Sequence, residues 1–202
     1  MTGNDHYFTA APASPDERRT RTVHLAGQDV TVETAGGVFS PDHLDAGTEV
    51  LLRTAGEPPA SGDLLDLGCG WGPVALTLAL RSPQARVWAV DVNERALDLT
   101  RRNAERLGTH VHAVHPDDLP ADVRFAAIWS NPPIRVGKPA LHAMLRHWLG
   151  RLAPGGAAHL VVAKHLGADS LQRWLAEELG AGAEVDRAET SRGFRVLRVS
   201  SR

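Results

Sequence analysis

The chain has 202 residues, of which 43% are hydrophobic and 23% are charged, a composition typical of a globular protein large enough to bury a substantial core. Its formal net charge of -2 excludes a strong general attraction to polyanions, so a nucleic-acid partner would have to meet a local basic patch. No apolar run approaches the ~20 residues of a membrane span, the N-terminus has no signal-peptide pattern, and the single cysteine excludes an internal disulfide framework. We therefore expect a cytoplasmic protein without a membrane partner.

The N-terminal part of the chain is predicted to contribute a β-hairpin and a helix. Residues 1–21 are polar and rich in proline, and we expect them to be loosely ordered or draped over the rest. Two alternating apolar runs around an Ala-Gly-Gln turn predict the hairpin over residues 22–33. Ser40-Pro41 has the pattern of a helix N-cap and first turn, and the predicted helix covers about residues 41–54.

Strands and helices alternate from residue 63 onward. The predicted strands are DLLDLG (63–68), RVWAVDV (86–92), HVHAVH (110–115), RFAAIWS (124–130), AAHLVVA (157–163), AEVDRAE (183–189) and FRVLRVS (194–200). The predicted helices are PVALTLALR (73–81), NERALDLTRRNAERLG (93–108), KPALHAMLRHWLGRL (138–152, closed by Pro154-Gly155-Gly156) and ADSLQRWLAEELG (168–180). This alternation predicts an α/β fold with a doubly wound, mostly parallel sheet and an antiparallel C-terminal hairpin. We expect residues 1–56 to form an extension packed on a core of residues 57–202, in one domain overall.

The first strand of the predicted core ends in the glycine-rich segment DLGCGWGP, residues 66–73. Its three glycines allow the backbone to pass close beneath a ligand and to turn sharply into a helix. Asp91 ends the next strand about 20 residues further on, where a carboxylate can accept hydrogen bonds from ribose hydroxyls. A dinucleotide fingerprint requires Gly or Ala where this chain has Pro73. The segment therefore fits S-adenosylmethionine (SAM) better than NAD.

Three further acids lie near the predicted ligand edge. Asp66 begins the glycine-rich segment, where it could orient the loop backbone, hold the amino group of the ligand, or act as a purely structural cap. Asp117 and Asp118 follow the third strand of the core, where an acid could meet the edge of an adenine. Adjacent acids in a proline-flanked loop are equally compatible with a solvated surface.

The fourth strand of the core ends in Asn131-Pro132-Pro133, which most often marks a turn. At a ligand-binding edge this segment also has a chemical use. An amino group conjugated to a purine ring or an amide is a poor nucleophile, and acceptors placed on its hydrogens favour the pyramidal form that can attack a sulfonium methyl. The Asn131 side-chain oxygen and the Pro132 carbonyl are the candidate acceptors, and the prolines would hold them in place.

Together these segments resemble a class I SAM-dependent methyltransferase, and closely the ribosomal RNA small subunit methyltransferase C family in a short single-domain form. The matching segments are HYF (6–8), GGVFSPDHLDAGTEVLL (36–52), DLGCGWGP (66–73), VDVNERALDLTRRNAE (90–105), SNPPIRVGK (130–138), LVVAKHLGADSL (160–171) and SRGFRVLRV (191–199). The resemblance implies a Rossmann-like methyltransferase fold with seven strands, and methyl transfer from SAM to a guanine amine. The implied catalytic residues are Asn131, Pro132 and Pro133. The predicted cofactor-binding residues are Phe39, Asp66, Gly68, Gly70, Gly72, Asp91, Val92, Asp118 and Asn131.

The expected partner is ribosomal RNA or a ribosomal subunit. Many amino-methylating relatives carry Phe or Tyr after the two prolines, where the ring stacks on the target base, whereas this chain has Ile134. The predicted substrate-binding residues are Ile134, Arg135, Lys138 and Lys164. The arginines at 192, 195 and 198 are further candidates for phosphate contacts, with solvated surface charge as the alternative.

Other classes of function remain open at this point or are disfavoured. The same chemistry could serve a protein glutamine amide, a DNA adenine or a small metabolite, and an accessory protein that binds SAM or RNA without turnover is the alternative outside enzymes. An NAD oxidoreductase is disfavoured by Pro73, and a covalent pyrimidine-carbon methyltransferase by the position of Cys69, which is the only cysteine. The histidines lack zinc-like spacing, so we expect no metal.

Overall fold

The computed structural model describes residues 16–202, so HYF (6–8) and most of the predicted N-terminal tail lie outside the described residues. The helices are α1 (Ala46–Thr54), α2 (Pro73–Arg81), α3 (Glu94–Arg106), α4 (Lys138–Leu149) and α5 (Ala168–Leu179). The strands are β1 (Arg18–Leu25), β2 (Gln28–Ala35), β3 (Asp63–Leu67), β4 (Arg86–Val90), β5 (Val111–Val114), β6 (Phe125–Ser130), β7 (Leu152–Ala163), β8 (Ala183–Ser191) and β9 (Phe194–Ser201).

Seven strands form one sheet in the order β5-β4-β3-β6-β7-β9-β8. The first five in this order are parallel, and β9 runs antiparallel to both β7 and β8. The order reverses between β3 and β6, which is the point where ligands bind in open α/β sheets. The predicted α/β fold, doubly wound and mostly parallel with an antiparallel end, is confirmed.

Each face of the sheet buries its own apolar core. Helices α1, α2 and α3 cover one face together with the β1–β2 hairpin, and α4 and α5 cover the other. The strand β3 serves both cores because its side chains alternate: Leu64 belongs to the first cluster, and Leu65 and Leu67 belong to the second. Asp66 shares the face of Leu64, and this places a fully buried carboxyl beneath the helix α2.

The N-terminal hairpin starts four residues earlier than predicted, since β1 begins at Arg18, and it is tied to the core by a buried amide. Asn103 on α3 accepts a hydrogen bond from the Glu33 backbone N–H at 2.6 Å and donates to the Glu33 carbonyl at 2.9 Å. The same amide donates to the Trp71 carbonyl in the glycine-rich segment at 3.0 Å. One side chain thus joins the hairpin, a helix and the ligand loop.

The predicted start of the first helix at Ser40-Pro41 is wrong. The N-cap of α1 is Asp45, whose carboxylate accepts from the Thr48 backbone N–H. Ser40 has a positive φ of 46°, and its hydroxyl donates to the His43 carbonyl at 2.8 Å, so the segment before Asp45 is a turn. The turn is favoured because the Trp71 indole N–H donates to the Ser40 carbonyl and holds it over the glycine-rich segment.

The predicted extent of the helix over 138–152 is also wrong, because α4 ends at Leu149. The Arg151 side chain is buried, and its guanidinium donates to the Pro120 and Val123 carbonyls of the loop before β6. This contact directs the chain into β7, whose first residue, Leu152, pairs with Phe125. Pro154-Gly155-Gly156 lies inside β7 as a register irregularity instead of closing the helix.

Candidate active site

The glycine-rich segment forms a tight turn between β3 and α2. Gly68, Gly70 and Gly72 have positive φ values of 80°, 56° and 94°, which L side chains rarely adopt. The space around Gly68 is open, since nothing lies within 4 Å of the point where a Cβ would stand. Gly72 is required for a different reason: a Cβ there would stand 2.9 Å from the Thr100 hydroxyl on α3. The front of the loop can therefore receive a ligand, while its rear packs against a helix.

Asp91 braces this loop from the end of β4. One carboxylate oxygen accepts from the Gly70 backbone N–H at 3.0 Å, and the other accepts from the Asn93 N–H at 3.0 Å. Burial raises the pKa of Asp91, and these backbone N–H groups oppose the rise. An ionised carboxylate has about four lone-pair sites, so acceptor capacity remains for ligand hydroxyls.

Asp66 holds the start of α2. Its carboxyl accepts from the Ala75 backbone N–H at 2.9 Å, one of the N–H groups that the first turn of a helix leaves without a partner. Burial raises the pKa of Asp66 to about 8, with a smaller contribution from the Asp91 charge. Of the three roles predicted for Asp66, this geometry supports the structural cap. The side chain also lines the cleft above the glycine-rich segment.

A cleft opens between the glycine-rich segment and the residues that precede and begin α1. Five predicted site residues line it: Phe39, Asp66, Gly68, Gly70 and Asn131. Phe39 is half-buried above the loop, and a Cβ added at Gly70 would stand 3.8 Å from the Phe39 Cβ. The structure therefore brings together the end of β3, the end of β6 and the segment before α1.

Asn131, directly after β6, is held in one orientation by α1. Its side-chain nitrogen donates to the Asp45 carboxylate at 2.8 Å and to the Thr48 hydroxyl at 3.1 Å. A carboxylate can only accept, so the atom that faces Asp45 must be the amide nitrogen. In the described part of the chain, the Asn131 side-chain oxygen accepts no hydrogen bond. Among the described residues, Asn131 thus presents an unpaired oxygen at the cleft, while both of its amide hydrogens are already used.

The two prolines form a tight turn behind this asparagine. Pro133 has φ -74° and ψ 77°, and the Ile134 N–H donates to the Pro132 carbonyl at 2.8 Å, which together define an inverse γ-turn. The second predicted acceptor, the Pro132 carbonyl, therefore has one of its two lone pairs in use. Ile134 packs partly against the core on the α4 side of the sheet.

The remaining predicted residues lie outside the cleft. Gly72 is behind the loop, as described above, and Val92 and Asp118 are exposed beyond the ends of β4 and β5. Arg135, Lys138 and Lys164 are exposed at the ends of β6 and β7. Among the C-terminal arginines, Arg192 pairs with Glu49 at 2.9 Å, Arg195 pairs with Asp169, and Arg198 is exposed on β9.

Sequence reasoning missed Asp45 and Thr48, which line the cleft and hold Asn131. Asp45 does carry a readable signal, since Asp immediately before an apolar helical run is a preferred N-cap. Nothing in the spacing, however, indicates that this cap contacts a residue 86 positions away.

Cys69 is buried within the loop, and burial raises the pKa of its thiol well above the ordinary value, so it is not an activated nucleophile.

Across residues 16–202, no three His, Cys, Asp or Glu side chains are grouped to hold a metal ion. Within the same residues, no helix has the length and apolar character needed to cross a membrane.

The fold and this site define a Rossmann-like methyltransferase. The model of the family described as "Methyltransferase small domain" matches residues 29–198, and the chain belongs to this family. The sequence-based prediction of SAM as the cofactor is supported by this membership and by the structural comparison below.

Three proteins illustrate the similarity. The chain is 33% identical over 199 residues to Uncharacterized protein YbxB of Bacillus subtilis (strain 168), covering 96% of this chain and 98% of that protein. It is 38% identical over 141 residues to the Ribosomal RNA small subunit methyltransferase C of Hamiltonella defensa, covering 66% of this chain and 41% of that protein. The structure of the T. thermophilus 16S rRNA N2 G1207 methyltransferase (RsmC) in complex with AdoMet and guanosine matches with a TM-score of 0.80 and 27% identity. That match covers 95% of this chain and 52% of that one, so the chain spans about half or less of these ribosomal RNA methyltransferases.

Proposed function

We propose that this protein transfers a methyl group from SAM to an exocyclic amine, and that the amine is a guanine amine of ribosomal RNA. The observation that carries the proposal is the Asn131 side-chain oxygen, which lies at a cleft beside a glycine-rich loop and to which none of residues 16–202 donates a hydrogen bond. The similarity to methyltransferases named for ribosomal RNA, one of them solved with guanosine, supports the choice of substrate.

The open front of the loop fits a cofactor that carries ribose. SAM supplies a methyl group on a positively charged sulfur. Gly68 and Gly70 leave room for the ligand at the loop backbone, and Asp91 offers its unused lone pairs to the ribose hydroxyls. Val92 and Asp118 would then lie beside the bound nucleoside, and Phe39 would cover it.

The target amine must lose the conjugation of its lone pair before it attacks. The Asn131 oxygen would accept one amine hydrogen, and the free lone pair of the Pro132 carbonyl would accept the other. Both acceptors are fixed before the substrate arrives, because Asn131 is anchored on α1 and Pro133 lies in a tight turn. Preorganised acceptors of this kind act where positive charge develops on the amine.

The RNA would contact the edge of the sheet where β6 and β7 end. Arg135, Lys138 and Lys164 are exposed there, and Arg and Lys side chains contact phosphates without reading sequence. Ile134 offers an apolar surface in place of an aromatic stacking face. These residues would position the substrate, while the cleft selects the amine.

The test is methyl transfer from labelled SAM to ribosomal particles from a strain that lacks the enzyme, followed by mapping of the modified base. We expect a labelled guanine, and we expect Asn131→Ala to bind SAM normally while its turnover falls about 100- to 1000-fold. Asp117→Asn, at a side chain that is 92% exposed, is the control for a neutral substitution. Turnover of Asn131→Ala close to that of the wild type would show that Asn-Pro-Pro is only a turn.

A further inference from the structure

The Asp45 carboxylate performs two tasks with one atom. Its Oδ2 accepts from the Thr48 backbone N–H at 3.0 Å, which caps α1, and from the Asn131 side-chain nitrogen at 2.8 Å. The Thr48 hydroxyl accepts from the same nitrogen at 3.1 Å. Both hydrogens of the Asn131 amide therefore end on the first turn of α1.

Gly47 and the Phe194 ring lie beside the Asp45 carboxylate. Gly47 follows it in the helix, and a Cβ at Gly47 would stand 3.0 Å from Asp45 Oδ2 and 3.0 Å from the ring of Phe194. A side chain larger than glycine at position 47 would therefore press on both the carboxylate and the ring of β9. The position of Asp45 is set by α1, and the position of Asn131 is set by Asp45.

We propose that Asp45 is a positioning residue for methyl transfer: it fixes the amide orientation of Asn131 so that the oxygen faces the amine of the substrate. An amide side chain has a nitrogen and an oxygen of nearly equal size, and only hydrogen bonding decides which one faces the cleft. With Asp45 present, rotation by half a turn would bring the Asn131 oxygen against a carboxylate oxygen. Without Asp45, the Asn131 amide can present its N–H group to the substrate amine, and an N–H group cannot accept the amine hydrogens.

This proposal rests on the proposed function, in which the Asn131 oxygen accepts from the substrate. It adds that the segment before β3 contributes to the chemistry through α1, although Asp45 itself touches neither the methyl group nor the amine. The negative charge is not the essential property, because a neutral side-chain oxygen at the same reach would orient Asn131 as well.

Asp45→Ser separates capping from positioning. Serine is as good an N-cap as aspartate, but its oxygen lies one bond closer to the backbone and does not reach Asn131. We expect an unchanged melting temperature, unchanged SAM affinity by calorimetry, and a kcat that falls about 10- to 100-fold, as for the loss of a hydrogen bond to a charged group. Asp45→Asn keeps an oxygen at the same reach and should restore most of the turnover. Asp29→Ser, at an exposed acid near the start of β2, is the matched control.

A double-mutant cycle distinguishes a role through Asn131 from any other role of Asp45. In the Asn131→Ala background, Asp45→Ser should cause no further loss of kcat, because the group that it orients is gone. Additive losses would overturn the positioning role, as would wild-type turnover of Asp45→Ser or an equal loss in Asp45→Asn. The cycle also separates the two proposals: wild-type turnover of Asn131→Ala overturns both the proposed function and the positioning role, whereas additive losses overturn the positioning role alone.

Discussion

The substitution Asp91→Ala tests the ribose site at the end of β4. This carboxylate accepts from the backbone N–H groups of Gly70 and Asn93, both at 3.0 Å. If the same oxygens also accept from ribose hydroxyls, the substitution leaves those hydroxyls without a partner. A hydrogen bond to a charged group contributes about 1.5–3 kcal/mol, so the dissociation constant for SAM should rise about 10-fold or more.

Calorimetric titration with SAM measures this change directly, and thermal unfolding without ligand measures the separate loss of the loop contacts. Asp91→Asn should lie between Ala and the wild type, because the amide keeps one accepting oxygen and places N–H groups where the other stood. The control is Asp122→Asn, at an exposed side chain in the loop before β6. If Asp91→Ala lowers the melting temperature and leaves SAM affinity unchanged, Asp91 only braces the loop, and the assignment of the ribose site is refuted.

Three further expectations concern the cofactor, the buried acid and the hairpin. SAM and its demethylated product should raise the melting temperature while NAD does not, since a ligand stabilises only the native site that fits it; stabilisation by NAD alone would contradict the assigned class. Burial raises the pKa of Asp66 from 3.8 to about 8, so the folded state keeps a proton that the unfolded state has lost, and stability should fall as pH rises between these values. Urea denaturation across this window should show a flatter pH profile for Asp66→Asn, and equal slopes would contradict the buried neutral acid. Asn103→Ala removes the three hydrogen bonds of a buried amide and should lower the free energy of unfolding by about 2–4 kcal/mol, whereas a change below about 0.5 kcal/mol would mean that the hairpin is held by packing alone.

The elements of the core could be predicted because their signals are local. Pro73 stands at the first turn of α2, and Asn93 caps α3 by accepting from Arg95 and Ala96, as the pattern indicates. Ser40-Pro41 carries an equally good local signal, yet the helix begins only after Asp45 because the Trp71 indole holds Ser40 in a turn. A contact from another part of the chain decided between two acceptable starts, and no local pattern contains that contact.

The candidate site divides in the same way. The glycines, Asp91 and Asn131 stand at strand ends, and the order of a parallel sheet brings strand ends to one edge, so their proximity followed from the fold class. The contact between Asp45 and Asn131 could not be predicted from the fold class, because it joins the N-cap of a helix that covers the sheet to the end of a strand. This contact depends on how α1 packs against β7 and β9, and no local sequence pattern specifies that packing.

The anchoring of Asn131 on α1 also bears on how the protein acquires activity as it is made. The two partners are 86 residues apart, so their contact closes a long loop that contains β3, β4, β5 and β6. Contacts of large sequence separation form late, after their closure entropy has been offset by the strands between them. On the ribosome, α1 is synthesised well before β6, so the Asp45 carboxylate is present before the Asn131 amide that it binds. A nascent chain can therefore complete its glycine-rich loop while Asn131 still lacks its partners on α1. If Asn131 acts as proposed, methyl transfer should begin only when β6 has entered the sheet.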